Sequence, residues 1–206
     1  MPNFKRAAAA AALLLTGACQ PTPALTLPDD PRERVATCVA VEAPTDGAAS
    51  PDRSGSADGT IRMMQISLYA ASSAADADSS ATTVSERAAQ LVEELSTQDF
   101  ASLAAPCRDA YPAPYGPAAP LPSDPLEAAY VCITAANILR DAWAEQAPAL
   151  SARAQAVATR AAAAATPLLP NISETESVAA GDKAVLDTVR RAPIAKTVDA
   201  CAVRYP

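Results

Sequence analysis

The chain has 206 residues, enough for one domain or two small ones. Half of the residues are hydrophobic by type, many of them alanine, and only 4% are aromatic. Because alanine is the strongest helix former, this composition predicts an all-α fold. Removing Lys5 and Arg6 with residues 1–18, which hold no acid, changes the net charge from −7 to −9, and an acidic surface argues against nucleic acid as a partner. The chain has no histidine, so it lacks the commonest acid–base group and the commonest transition-metal ligand.

Residues 1–18 have the features of a secretory signal peptide. Lys5 and Arg6 precede an apolar run over residues 7–15, and three small residues follow at 16–18. The apolar run is shorter than the about 20 residues that a permanent membrane-spanning helix requires. We therefore predict that residues 1–18 direct export and are removed.

The segment Leu15-Thr16-Gly17-Ala18-Cys19 resembles the lipobox of bacterial lipoproteins, although the leucine lies one position earlier than usual. The resemblance implies cleavage before Cys19, attachment of a diacylglycerol to its thiol and acylation of the new amino group. Gln20 follows in place of aspartate, which in that family implies sorting to the outer membrane. Ordinary cleavage after Ala18, giving a plain secreted protein, is the alternative.

The number of cysteines favours the interpretation as a lipoprotein. Five cysteines leave one unpaired in an exported protein, whereas a lipidated Cys19 leaves four that can form two disulfides. Residues 19–29 are rich in proline and threonine, which favours an extended tether over a helix. The predicted location is the periplasmic side of the cell envelope, with the membrane as a partner through the lipid anchor.

Residues 30–111 are predicted to form a first unit of about four helices. Asp30 caps the first helix, Pro31 opens it, and Pro44 ends it after about residue 41. A Gly/Ser-rich loop is expected at residues 45–59, followed by a second helix at about 60–76 whose inward face holds Ile61, Met64, Leu68 and Ala71.

The third and fourth helices of this unit follow from capping residues and apolar spacing. Thr82 or Thr83 is expected to cap the third helix, with Glu86 in capping-box position after Thr83. Its predicted apolar face comprises Val84, Ala88, Leu91, Val92 and Leu95. Ser96 or Thr97 caps a short fourth helix, whose predicted inward residues are Phe100, Leu103, Ala104 and Cys107.

Residues 112–123 are a proline-rich linker, expected to be a spacer or a strap along the surface, with a polyproline ligand for a partner as the alternative. Residues 124–206 form the second predicted unit. Asp124 caps a helix to about residue 146, and a second helix covers about 150–165. Ser173 and Glu176 form a capping box for the third helix, whose predicted apolar residues are Val178, Val185, Leu186 and Val189. Pro193 opens the fourth helix.

A shift of 94 residues aligns the two units. It places Cys38 on Cys132 and Cys107 on Cys201, and it superimposes two Tyr-Pro pairs. The sequence therefore predicts a tandem repeat of two disulfide-closed helical units. Four cysteines allow three pairings, and repeat symmetry favours Cys38–Cys107 and Cys132–Cys201. Closing about 70 residues with each bond stabilises the fold by roughly 4 kcal/mol in the chain-entropy model.

Candidate chemistry is sparse. The acidic stretch from Asp76 lacks the glycine of a calcium loop, and Glu93 and Glu94 point apart on one helix. The cysteines have no metal-site spacing. Trp143 is expected in the core, with an exposed binding anchor as the alternative. We predict no catalytic residue, metal or cofactor.

The function predicted from the sequence is a non-enzymatic binding or structural module, with an envelope protein or glycan as a possible partner and no nucleic acid. Two alternatives stay open. One is a carboxylate-based hydrolase of envelope material, in which acids from different helices would meet in one cleft. The other is a small-ligand carrier with an apolar groove between the repeats.

Overall fold

The computed structural model of the protein describes residues 25–47, 57–71, 81–95, 97–145, 147–171 and 173–206. These ranges contain helices and no strand, which confirms the predicted all-α class. In chain order the helices are α1 (Pro31–Gly47), α2 (Ala57–Ala71), α3 (Ala81–Glu94), α4 (Thr97–Ala110), α5 (Pro125–Trp143), α6 (Pro148–Ala165), α7 (Glu174–Arg191) and α8 (Ile194–Arg204). Short 3₁₀ turns lie at Ala113–Tyr115 and Thr166–Asn171. No helix in these ranges is long and apolar enough to cross a membrane.

Several predicted features fall outside the described residues. They are the signal peptide with Cys19, most of the tether, most of the Gly/Ser-rich loop and the acidic stretch from Asp76.

Side-chain caps start three helices where the sequence places them. The Oδ1 atom of Asp30 accepts from the backbone N–H groups of Arg32 and Glu33 at 2.9 and 3.0 Å. Asp124 caps α5 in the same way, and Ser173 forms the predicted capping box with Glu176 at the start of α7. These bonds satisfy N–H groups that have no acceptor within the helix.

The structure corrects some predicted boundaries. α1 continues to Gly47 and so includes Pro44, where the sequence predicted its end. α4 likewise contains Pro106, between the buried Leu103 and Cys107. α3 begins at Ala81, so the threonines expected to cap it lie inside its first turn.

Two valines predicted to face inward are exposed. Val178 is 60% exposed, because the inward stripe of α7 is formed by Ala184, Thr188 and Val189. Val92 is 38% exposed because it borders an open groove. Helical spacing did not show that Val178 lies outside the inward stripe of α7, or that the side of α3 carrying Val92 borders a groove.

The core has two clusters, each built around a disulfide. Cys38 is joined to Cys107 and Cys132 to Cys201, with Cα–Cα distances of 5.3 and 5.6 Å, and all four cysteines are fully buried. α1 contacts α2, α3 and α4, whereas α5 contacts α6, α7 and α8. Trp143 is buried in the second cluster, as expected for a core tryptophan.

α2 connects the two clusters. Although α2 packs on α1 and α3, it also contacts α5, α7 and α8, and its Ile61 belongs to the second cluster. Gln65, 1% exposed, donates from Nε2 to the carbonyl oxygens of Val189 and Ala192 at 3.0 and 2.9 Å. Its Oε1 accepts from the backbone N–H of Ile194 at 3.3 Å. A side chain from the first half thus completes the α7–α8 corner of the second half.

The proline-rich segment lies against both halves. Pro114 is buried, and the Tyr115 hydroxyl donates to Glu42 of α1. Lys196 donates to the Gly116 carbonyl at 2.9 Å, and Arg204 donates to the Pro122 carbonyl at 3.0 Å. The proline-rich segment is therefore a strap along the surface.

Replacing Gln65 with leucine tests the link between the halves. Gln65→Leu leaves two buried carbonyl groups and one N–H without these partners, so the free energy of unfolding should fall by about 2–4 kcal/mol. Urea denaturation followed by circular dichroism measures the change. The control Gln90→Leu, at an exposed position of α3, should change it by less than about 0.5 kcal/mol. Equal effects in both variants would contradict a structural role for the Gln65 bonds.

Candidate functional site

An open groove of about 660 Å³ lies between α1, α2 and α3. Its volume is within the roughly 300–1,000 Å³ typical of small-molecule sites. Among the residues that the structure describes, the lining side chains are apolar or carry a hydroxyl, and none is charged: Val39, Ala40, Ala43, Thr60, Met63, Met64, Ser67, Leu68, Thr82, Ser85, Ala88, Ala89 and Val92. The groove therefore provides an uncharged, mainly apolar surface.

α2 contributes one of its two faces to the groove. Thr60, Met63, Met64, Ser67 and Leu68 recur at three- and four-residue spacing, so they lie along one side of the helix. The side that carries the Gln65 clamp faces the second half. Methionine side chains are flexible and polarizable, and they adapt to ligands of different shape.

Small residues on α1 and α3 create the space. Ala40 and Ala43 line the groove from α1, and Ala88 and Ala89 line it from α3. Larger apolar side chains at these positions would fill it. The Ser67 hydroxyl donates to the Met63 carbonyl at 2.9 Å within its own helix, so this hydroxyl is already satisfied. The groove thus favours a ligand whose bound part is apolar.

A buried polar cluster joins the first half to the strap. Glu42 is 3% exposed; its Oε2 accepts from the Arg62 Nε at 2.8 Å, and its Oε1 accepts from the Tyr115 hydroxyl. The guanidinium groups of Arg62 and Arg108 lie 5.9 and 5.4 Å from the centre of the Tyr115 ring, within cation–π range. Burial, reinforced by the bond to Glu42, raises the pKa of Tyr115 well above its ordinary value. Tyr115 is therefore a neutral donor at physiological pH.

Because its two oxygens already accept from Arg62 and Tyr115, Glu42 is held as a structural acceptor rather than poised as a base. The cluster holds the strap against α1, α2 and α4. A pocket of about 180 Å³ beside it lies next to the contact between α2 and the start of α8, and is lined by Asp58, Arg62 and Lys196 among others.

Other acids from different helices meet on the exposed surface, each around a cation. Arg87 contacts Glu33 and Glu94, both at 3.1 Å, and its hydrogen bonds to Glu94 and then Glu33 raise its pKa. Lys183 contacts Glu127 and Asp187, both at 2.9 Å, and these bonds raise its pKa, with Asp187 the larger cause. Within the described ranges, no three His, Cys, Asp or Glu side chains converge to hold a metal ion.

The described cysteines, which the sequence singled out as site residues, do not form the groove. The four described cysteines are fully buried in the two cores, and none of them lines it. Spacing grouped Ile61 with Met64 and Leu68. In the structure Ile61 lies in the second core, Met64 lines the groove, and Leu68 lines the groove and also packs against the second core. The signal for the groove was present as methionines and hydroxyls on one face of α2. The parts of the groove that α1 and α3 contribute depend on how the helices pack, and residue spacing along one helix does not show that.

No protein-family model, curated protein or solved structure matches this chain. The evidence for a function is therefore the geometry of the groove and the chemistry of the sequence.

Removing the Tyr115 hydroxyl tests the polar cluster. Tyr115→Phe deprives a buried carboxylate of one donor and should lower the free energy of unfolding by about 2 kcal/mol at pH 7. The control Tyr130→Phe loses only the bond between two neutral hydroxyls, at 2.7 Å to Ser177, and should cost about 1 kcal/mol.

The effect of Tyr115→Phe should depend on pH. Because the folded pKa of Tyr115 is raised, its stabilising contribution is fully present below the ordinary tyrosine pKa of about 10 and is lost as the pH rises above it. The stabilities of the wild type and Tyr115→Phe should therefore converge above about pH 10. Burial also raises the pKa of Tyr111, but that tyrosine is present in both proteins. A gap that stays constant with pH would show that the hydroxyl contributes through packing alone.

Proposed function

We propose that the protein is a lipid-anchored, non-enzymatic binding module of the cell envelope that holds an apolar ligand between α1, α2 and α3. The observation that carries this proposal is the groove of about 660 Å³, whose described lining residues include no charged side chain. This proposal corresponds to the small-ligand carrier among the sequence-based alternatives. The groove, however, lies inside the first half of the molecule and not between the repeats.

The proposed ligand presents one uncharged hydrocarbon segment, such as a single acyl chain. The α2 side of the groove runs from Thr60 to Leu68, about 12 Å at 1.5 Å per residue, and the α3 side runs about 15 Å from Thr82 to Val92. Such a long, open shape favours a chain over a compact ring system. A glycan is less suitable because its hydroxyl groups would lose water and find few partners in the lining.

The anchor is proposed from the lipobox resemblance and the use of the cysteines. Four of the five cysteines are in buried disulfides, which leaves Cys19 for another role. Its lipidation would tether the protein to a membrane on the periplasmic side of the envelope, with Gln20 favouring the outer membrane. A tethered binding module would then lie close to acyl-chain ligands.

The mature part is proposed to be a tandem repeat. In support, Asp30 and Asp124 are 94 positions apart and both cap a first helix, and each disulfide joins the first to the last helix of a set of four. Glu33 and Glu127, also 94 apart, each pair with a cation of the third helix in their set. The backbone N–H groups of Tyr111 and Tyr205 each donate to the carbonyl of the preceding disulfide cysteine, at 2.9 and 2.8 Å.

Binding of a neutral fluorescent probe with a single hydrocarbon chain, the methyl ester of cis-parinaric acid, tests the groove. Wild-type mature protein should bind it saturably, and methyl laurate should displace it. Met64→Glu should weaken binding by about tenfold or more, because a carboxylate would face the ligand without a partner.

Two variants control this experiment. Met64→Leu keeps an apolar side chain of similar size and should keep the affinity within about threefold. Val178→Glu adds the same charge at an exposed position of α7, remote from the lining, and should have no effect. Unchanged probe affinity in Met64→Glu would exclude this groove as the site. Displacement by an amphipathic helical peptide but not by methyl laurate would identify an envelope protein as the ligand instead.

Replacing Cys19 with serine tests the anchor. The wild type should fractionate with membranes and release an N-terminal peptide carrying the mass of a diacylglycerol and an acyl chain. Cys19→Ser removes the acceptor thiol, so the protein should either move to the soluble fraction or keep its signal peptide. A soluble wild-type protein with an unmodified Cys19 would instead establish the plain secreted form.

A further inference from the structure

The two disulfides join cysteines that follow one another along the chain. Leaving Cys19 aside, the order is Cys38, Cys107, Cys132 and Cys201, and the bonds join the first to the second and the third to the fourth. Of the three pairings that four cysteines allow, only this one links chain neighbours throughout.

In the folded protein the two native disulfides are closed to exchange. All four cysteines are 0% exposed, and their sulfurs lie inside the two cores. Disulfide exchange requires a thiolate to reach a sulfur atom, so bonds buried in this way do not rearrange. Once the cores have closed, the native pairing is therefore kept.

We infer that the exported chain is a substrate of a dithiol oxidant that joins each cysteine to the next as the chain emerges, and that it needs no disulfide isomerase. For each bond, one chain thiolate attacks the disulfide of the oxidant and forms a mixed disulfide. The next cysteine of the chain displaces the oxidant as a thiolate. Two thiols of the chain lose two protons and two electrons, and the oxidant takes up the electrons as it becomes a dithiol.

A free thiol at Cys19 would change which cysteines are joined, because pairing of neighbours would then start one cysteine earlier. Joining neighbours from the N-terminus would then link Cys19 to Cys38 and Cys107 to Cys132, leaving Cys201 unpaired. Because Cys107 and Cys132 belong to different cores, neither core could form its native bond.

This part of the inference rests on the proposed lipidation. Formation of a C–S bond to the glyceryl carbon of a phospholipid donor, with departure of the phosphate headgroup and the thiol proton, withdraws Cys19 before oxidation. Lipidation thus keeps the pairing in register as well as anchoring the protein.

Peptide mapping can identify every bond. Trypsin cleaves after lysine and arginine and places the five cysteines on separate peptides, 19–32, 35–53, 88–108, 109–140 and 197–204. The full precursor is expressed in three bacterial hosts: one complete, one without the periplasmic disulfide isomerase and one without the dithiol oxidase. Thiols are blocked in denaturant before digestion without reductant, so that the result does not depend on folding.

The complete and isomerase-deficient hosts should give the same yields of 35–53 linked to 88–108 and of 109–140 linked to 197–204. The oxidase-deficient host should lose both linked pairs. Native bonds that fail to form without the isomerase, in Cys19→Ser as well as in the wild type, would overturn sequential oxidation whatever the state of the anchor.

A second pair of proteins separates the two proposals. Both carry an ordinary signal peptide, so that residue 19 is not lipidated, and they differ only by Cys19→Ser. In the isomerase-deficient host, the protein with the free Cys19 should give 19–32 linked to 35–53, and Cys19→Ser should give the native pairs. Native pairs in both would overturn the role of Cys19 in setting the register. An unlipidated wild type with native pairs in Cys19→Ser would refute the anchor but support sequential oxidation.

Discussion

The hydrogen bonds of Gln65 determine how the two halves of the molecule meet. This one amide, buried on α2, satisfies backbone groups on both sides of the α7–α8 corner. Nearby, Tyr69 of α2 packs edge-to-face on Tyr111 with ring centres 5.5 Å apart, and the Arg190 guanidinium lies 5.1 Å from the Tyr69 ring centre. Because the clamp orients one face of α2 toward the second half, the adjoining face is left to line the groove.

Alanine accounts for both the need for disulfides and the presence of the groove. An alanine-rich core buries less apolar area per ordered residue than one built from leucine, so the packed helices gain less from the hydrophobic effect. Each disulfide offsets part of this deficit by restricting the unfolded chain. At Ala40, Ala43, Ala88 and Ala89, the same small side chains leave space between α1 and α3. The composition that weakens the core therefore also provides the proposed binding surface.

Several elements could be predicted from the sequence because their causes are local or covalent. The Asp-Pro starts at Asp30 and Asp124 and the capping box at Ser173 depend on residues within one helical turn. The all-α class follows from composition. The groove could not be predicted in this way. Met64 and Ile61 are one helical turn apart and share an apolar character, but Met64 lines the groove and Ile61 packs into the second core, because neighbours far along the chain receive them.

The sequence by itself determined the helical class, the main helix starts and the presence of cysteines suited to two disulfides, since these depend on intrinsic propensity and short-range hydrogen bonding. Only the tertiary structure decided that α2 bridges the halves, that Glu42 and Tyr115 hold the strap, and that α1, α2 and α3 enclose a groove. Gln65 and Val189 are 124 positions apart in the sequence, whereas the partners in a helix cap lie within one turn of each other. Contacts over such distances depend on which faces pack together, and residue spacing along one helix does not specify that.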